Sequence, residues 1–211
     1  MLRDTHIAAG VSAALLFARP QGVLPAAGVV LAAVCGSVIS DIDADRSWAR
    51  KQADVLICAA AAGSEAVVLA AAVSGQIGSV MDAIGAAGCI GKLAAWALAV
   101  ILCLFGMRQE HRWFMHSLTA GAALTACVYA ALSMQQACAF LAAFLSHLIL
   151  DLMNHKELRL FWPSKKGLCF HLCASDGSVN RILGQAFLVT AVLFFDACTG
   201  LGLCRYVESL I

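Results

Sequence analysis

Residues 137–153 read ACAFLAAFLSHLILDLM, an apolar run that carries two ionisable side chains near its end, His147 and Asp151. The run predicts a membrane helix, since a span needs about 20 mostly apolar residues. His147 and Asp151 are four residues apart, so on a helix they share one face. Ionisable groups in a membrane are costly and normally face a bundle interior or a cavity. By itself the pair has two equally good interpretations. It is either part of a functional site or a buried hydrogen-bonded pair that only fixes the helix in place.

The composition of the whole chain supports a membrane protein. Its 211 residues are 62% hydrophobic and 13% charged, with a formal net charge of +1. Soluble domains contain about 45–50% apolar and about 25% charged residues, and disordered chains are polar. A net charge of +1 offers no basic excess to a nucleic acid. We therefore predict a single integral membrane domain over residues 1–211, in contact with the lipid bilayer and without a nucleic-acid partner. The oligomeric state is left open.

Charged and turn residues divide the chain into seven apolar runs. We predict an all-α, polytopic transmembrane helical bundle of six or seven helices. The first run is short for a span, and the break Pro20-Gln21-Gly22 follows it. The runs are Thr5–Ala18, Val23–Ser40, Ala53–Ser74, Ala83–Met107, Ser117–Ser133, Ala137–Met153 and Ile182–Cys204.

Lysine and arginine are distributed unevenly over the connections between these runs. Of the 14 in the chain, 11 fall at the N-terminus or in 41–52, 107–116 and 154–181. The positive-inside rule places these segments in the cytoplasm. The sequence therefore predicts a multi-pass protein of the cell (inner) membrane, with a long cytoplasmic loop over 154–180.

The ionisable residues of the apolar chain follow the same alternation. Because successive spans are antiparallel, four segments distant in sequence should bring their polar side chains to one membrane face. They comprise His6 at the start of the first run, Asp41, Asp43 and Asp45 after the second, His111 and His116 between the fourth and fifth, and His147 and Asp151 at the end of the sixth.

Imidazole nitrogen and carboxylate oxygen are ligands of zinc and related divalent ions. A mixed His/Asp shell typically leaves an open position for water, as hydrolytic metals require. We predict one to three zinc-like ions at this face, with Asp43 or Asp151 as a base and Arg112 holding an anionic substrate group. Two simpler readings remain open: Asp41 and Asp43 as solvated charges, and His111 and His116 as interfacial histidines beside Trp113.

These motifs resemble the YdjM-like family, LexA-regulated inner-membrane-associated proteins regarded by similarity as metal-dependent hydrolases. The resemblance covers about residues 1–190, and the family is distantly similar to zinc-dependent phospholipase C. It implies His6, Asp41, Asp43, His111, His116, His147 and Asp151 as metal ligands or catalytic groups. It rests on His6, Ser-Asp41-Ile-Asp43, His111-Arg112-x3-His116-Ser117-Leu118, Ser146-His147-x3-Asp151 and Phe161-Trp162-Pro163.

Three functions remain from these observations. The first is a metal-dependent hydrolase at the cytoplasmic leaflet that acts on a phosphoester or lipid-linked substrate. The second is a transporter or channel for metal ions or protons, which would need polar residues continuing to the far face. The third is a non-catalytic membrane protein with a structural His/Asp cluster. Separately, Cys169-x-His171-x-Cys173 could bind a metal, although its spacing matches no standard zinc motif.

Overall fold

The computed structural model describes residues 2–44, 47, 50–52, 89–172 and 177–202. This part of the chain contains six α-helices of 14 to 22 residues and one 3-10 helix. It contains no β-strand, only one isolated bridge between Leu158 and Leu168. The all-α prediction is confirmed. The helices are α1 (Arg3–Ala18), α2 (Val23–Val38), the 3-10 helix (Ile39–Asp43), α3 (Cys89–Gly106), α4 (Leu118–Ala131), α5 (Met134–Leu152) and α6 (Ser178–Thr199).

Side-chain caps and left-handed residues set the helix ends. Ser117 and Ser133 cap α4 and α5, and each accepts a hydrogen bond from a backbone N–H of the first turn. α1 ends at Arg19 in the left-handed conformation, and α6 ends at Gly200 in the same conformation. The capped α5 begins three residues before the predicted Ala137, and α6, which has no side-chain cap, begins four residues before the predicted Ile182. The predicted run Ala53–Ser74 lies outside the described residues.

Small residues allow α1 and α5 to occupy the centre of the bundle, where α5 packs against α1, α2 and α4. A Cβ at Gly10 of α1 would lie 1.9 Å from Ser37 Oγ of α2. A Cβ at Gly36 would lie 2.4 Å from the backbone oxygen of Phe140 in α5. Backbones this close are typical of helices packed in a membrane, where small residues permit the approach.

Hydrogen bonds between helices establish the helix directions. Gln135 at the start of α5 donates through Nε2 to the backbone oxygen of Ala18 at the end of α1, so these helices are antiparallel. Thr5 and Ser12 of α1 donate to backbone oxygens 175 residues later, in α6. α1 and α6 therefore run parallel. The start of α1, the end of α5 and the start of α6 consequently lie at one end of the bundle, which we call the site end.

The exterior of the bundle is apolar. Leu24, Trp96 and Leu188 are about half exposed or more, which fits a lipid-facing surface. Within the described part of the chain, three helical segments are long and apolar enough to cross a membrane: Val23–Asp43, Met134–Leu152 and Ser178–Thr199. The apolar helices Ile90–Gly106 and Leu118–Ala131 are shorter.

The segment after α5 folds back over the site end. Leu158 and Leu168 exchange backbone hydrogen bonds of 2.8 and 2.9 Å. Phe170 donates its backbone N–H to the oxygen of Leu152, the last residue of α5. Arg159 donates its backbone N–H to the oxygen of Arg112, in the α3–α4 loop. This cover restricts access to the polar residues beneath it.

Candidate metal centre

The four polar segments meet at the site end. His6 Nε2 of α1 lies 3.4 Å from Asp151 Oδ1 of α5, and the rings of His6 and His147 stack with centroids 4.0 Å apart. His116 lies 5.4 Å from His147 and 5.2 Å from His111, measured between ring centroids. The structure thus brings together all seven side chains that we predicted as ligands. Whether each of them binds a metal stays a prediction.

His147 is held in one orientation by the backbone. Its Nδ1 lies 2.6 Å from the backbone oxygen of Ser37, which can only accept, so Nδ1 carries the proton and donates. The lone pair of this neutral imidazole is therefore on Nε2. That atom is buried without a hydrogen-bond partner, 3.7 Å from Asp41 Oδ1 and 4.0 Å from Asp151 Oδ2.

The 3-10 helix places two carboxylates on opposite sides of the His116 ring. Residues two apart on a 3-10 helix point about 240° apart, so Asp41 and Asp43 leave the backbone in different directions. Asp43 Oδ2 lies 3.3 Å from His116 Nδ1, and Asp41 Oδ1 lies 3.6 Å from Nε2. Asp43 also accepts from His111 Nδ1 at 2.7 Å and from the backbone N–H of Arg112 at 3.1 Å. The buried Asp43 is therefore not a solvated charge.

The electrostatics at His116 favour a positive charge. Burial is the largest single effect and disfavours the imidazolium, but the adjacent carboxylates of Asp41 and Asp43 outweigh it. Together they raise the pKa of His116 to about 9. In the absence of a cation, a proton on His116 thus compensates the carboxylates around it. A divalent ion would have to displace that proton.

Asp151 and Arg112 form a second layer of contacts. Arg112 Nη2 lies 3.0 Å from Asp151 Oδ2, and its Nη1 donates to the backbone oxygen of Lys156. Asn154 Nδ2 donates to Asp151 Oδ1 at 3.1 Å. Arg112 has a positive φ of 65°, a conformation uncommon outside glycine, and its Nε is buried without a partner. The α3–α4 loop therefore fixes Arg112 against the carboxylate cluster.

Among the residues that the structure describes, three overlapping groups of side chains could each hold a divalent ion, and the ligand atoms within a group all lie within 4.8 Å of one another. Two observations fit a metal. The Nε2 atoms of His116 and His147 are buried without hydrogen-bond partners. In addition, the lone pair of His147 faces two carboxylate oxygens. All three atoms are hydrogen-bond acceptors, and a bound cation would remove the repulsion between them. The groups are His6/His147/Asp151, Asp41/His116/His147 and Asp43/His111/His116.

Comparison with known proteins identifies the family of this chain. A family model described as YdjM inner membrane protein matches residues 1–206. The chain belongs to this family. No match was found among curated proteins or among solved structures. The YdjM designation as an inner membrane protein agrees with the apolar exterior of the helices.

Solvent reaches the cluster of this YdjM family member from one side. The side chains of His111 and Asp41 are 45% and 32% exposed, whereas those of His6, His116 and His147 are at most 3% exposed. The mouth of the site therefore lies between the 3-10 helix and the α3–α4 loop. Arg50 reaches the same loop, where its Nη1 donates to the backbone oxygen of Met107.

Sequence reasoning missed three supporting groups in this YdjM site. The backbone oxygen of Ser37 orients His147, and nothing in the side-chain pattern indicates it. Ser40 is fully buried with its hydroxyl unpaired, next to Asp41. Asn154 could have been found from its position three residues after Asp151, one helical turn away.

The cysteine-containing motif is separate from the centre. Cys169 Sγ lies 2.9 Å from His171 Nδ1, and the rings of His155 and His171 are 5.7 Å apart. Cys173 lies outside the described residues. Among the described cysteines, six are free thiols: Cys35, Cys103, Cys127, Cys138, Cys169 and Cys198.

Proposed function

We propose that the protein is a membrane-embedded, metal-dependent hydrolase that cleaves a phosphoester, carried by a lipid or another small molecule, at the cytoplasmic leaflet. One observation carries the proposal. Four segments from different parts of the chain converge to bury the unpartnered Nε2 of His147 against carboxylates, beside His116. A structural lock would pair this nitrogen with a hydrogen-bond donor, because an unsatisfied buried polar atom is costly.

The residues that would hold the metal are His6, His147 and Asp151 on one side and Asp43, His111 and His116 on the other. A divalent ion bound there, most simply zinc, supplies Lewis-acid activation of water and of a phosphoryl group. The remaining work falls to the protein. The backbone oxygen of Ser37 keeps the His147 lone pair directed into the cluster. Outer hydrogen bonds of this kind orient metal ligands and increase their basicity.

Asp41 is best placed to accept a proton from an incoming water. Sequence reasoning predicted Asp43 or Asp151 as the base, but both are occupied: Asp43 accepts from His111 and a backbone N–H, and Asp151 pairs with Arg112. The Asp41 carboxylate lies 3.6 Å from His116 Nε2, too far for a hydrogen bond, and it reaches solvent at the mouth. Asp43 and Asp151 would then serve as metal ligands.

The polar rim favours an anionic substrate. Arg112 lies against the carboxylate cluster with its Nε unpartnered, so its guanidinium could bind a phosphate oxygen there. Arg159 pairs with Glu110 at 2.6 Å, which lowers the pKa of that carboxyl and keeps its charge compensated. The positive residues of these loops would hold the site at the cytoplasmic surface.

Metal content and hydrolysis, measured together, test the proposal. The protein is purified in detergent without chelator, and its zinc is measured by mass spectrometry. Hydrolysis of p-nitrophenyl phosphate and of a phosphatidic acid is followed before and after EDTA treatment and zinc return. We expect bound zinc, and activity that EDTA removes and zinc restores.

The variants His147→Ala and His155→Ala provide a matched comparison, because His155 is an exposed histidine outside the three groups. We expect the first to lose activity and the second to keep it. Protein that takes up no zinc at neutral pH would refute the metal centre. Zinc-loaded protein that cleaves neither phosphoester would refute the proposed hydrolase.

A further inference from the structure

A groove of about 570 Å³ lies between α1 and α6, on a different face of α1 from the metal centre. His6 faces α5, whereas Thr5 and Ala8 line the groove, because consecutive residues on a helix point about 100° apart. The walls are apolar and the groove is open on one side. Its apolar lining includes Ile7, Ala8, Val11, Gly184, Leu188 and Ala191.

The dimensions of the groove indicate a chain-like occupant. The lining of α6 extends from Arg181 to Ala191, ten residues or about 15 Å at about 1.5 Å per residue. One leaflet of a hydrocarbon core about 30 Å thick has the same thickness of about 15 Å. An acyl chain of a lipid in that leaflet can therefore follow the groove over its whole length.

One end of the groove is polar and carries a positive charge. Arg181 and Gln185 line this end and are exposed. Asp4 also lies there, but Arg3 neutralises it through contacts of 2.9 Å. Within the described part of the chain, no side-chain partner of Arg181 is found.

The helix directions add to this charge. Because α1 and α6 run parallel, both begin at the polar end and direct the positive ends of their dipoles there. The apolar length of the groove then continues from this end along the two helices, towards Val11 and Ala191. An anionic group at Arg181 joined to a hydrocarbon chain matches both parts.

We propose that this groove is a binding site for an anionic membrane phospholipid, with one acyl chain between α1 and α6 and its phosphate at Arg181. The bound lipid would cover the seam along which α6 packs against the helix that carries His6. Anionic lipids are concentrated in the cytoplasmic leaflet, where the charge distribution of the loops places the polar end. The site uses none of the metal-binding side chains.

Native mass spectrometry and thermal unfolding in a non-ionic detergent test the site. Phosphatidylglycerol and phosphatidylcholine with identical acyl chains are added to the purified full-length protein. We expect one phosphatidylglycerol per chain, a higher Tm with phosphatidylglycerol, and weaker binding of phosphatidylcholine. Equal binding and equal Tm with the two lipids would overturn the proposal.

Two variants separate the headgroup from the chain. Arg181→Gln is a surface change, and we expect it to weaken phosphatidylglycerol binding about fivefold and to remove the preference over phosphatidylcholine. Val11→Trp should fill the groove and weaken both lipids. Arg108→Gln, an exposed arginine outside the groove lining, serves as the control and should behave like the parent. If the Arg181→Gln protein still prefers phosphatidylglycerol to phosphatidylcholine, the phosphate does not bind at Arg181 and the proposal is wrong. This conclusion holds even if the Val11→Trp protein does not fold.

Discussion

Substitution of His147 by alanine should reduce the number of bound zinc ions from two per chain to one. His147 belongs to two of the three candidate groups, but it offers each of them the same atom. Its Nδ1 donates to the backbone oxygen of Ser37, so only Nε2 has a free lone pair, and one lone pair coordinates one ion. The groups His6/His147/Asp151 and Asp41/His116/His147 therefore cannot be filled together.

The remaining group, Asp43/His111/His116, shares no residue with His6/His147/Asp151. Two ions can therefore be held at the same time by three protein ligands each, which leaves an open position on each ion. Alanine at position 147 removes one of these sites and leaves the other. His111→Ala removes the second site. Because the side chain of His111 is 45% exposed, the fold should tolerate this change. The double variant should bind none.

Zinc per chain is measured by mass spectrometry after dialysis against micromolar zinc, with size exclusion in detergent to verify folding. His155→Ala is the control and should retain two ions, since it also removes a histidine but lies outside the three groups. Two ions in the His147→Ala protein would contradict the assignment of His147 as a ligand. Loss of both ions in a folded His147→Ala protein would contradict the independence of the two groups.

Four further predictions concern individual residues. Asp151→Asn should lose one zinc ion while the protein still inserts into membranes, because insertion depends on hydropathy; unchanged zinc would remove this residue from the centre. Arg112→Lys should retain zinc but cleave p-nitrophenyl phosphate about tenfold more slowly, since lysine lacks the planar fork; parental activity would exclude phosphate binding by Arg112. Gly10→Ala should destabilise the protein by about 1–3 kcal/mol, because the new Cβ would lie 1.9 Å from Ser37 Oγ. Thermal unfolding should show a smaller loss of stability when Ser37→Ala is added. An equal loss of stability would refute the steric cause. Cys169 should resist impermeant thiol reagents in intact cells, and labelling from outside would reverse the predicted orientation.

The early start of α5 relative to its predicted start has a local cause. Hydropathy marks where a run becomes apolar, so it placed the start of the sixth run at Ala137, after two glutamines. The helix begins earlier because Ser133 accepts a hydrogen bond from the backbone of Gln136, which satisfies a donor of the first turn. A polar first turn costs a helix little once it is capped. Hydropathy alone therefore misses it.

The assembly of the site could be predicted in outline but not in its roles. Alternation of spans was sufficient to expect His6, Asp43, His116 and Asp151 at one end of the bundle, since it depends only on the order of the runs along the chain. It could not distinguish Asp41 from Asp43. The 3-10 helix separates them, and burial of Asp43 leaves Asp41 as the carboxylate that solvent reaches.

The sequence by itself thus determined an all-helical membrane protein with its polar residues gathered at one end, because apolar length and alternation are properties of the linear chain. Only the tertiary structure decided which nitrogen of His147 is free, which carboxylates flank His116, and where α1 and α6 leave a groove. These features depend on the rotation of each helix about its own axis and on the distance between neighbouring helices. Alanine-rich and glycine-rich surfaces permit many such arrangements, so the choice among them rests on contacts such as Gly10 with Ser37 that join distant parts of the chain.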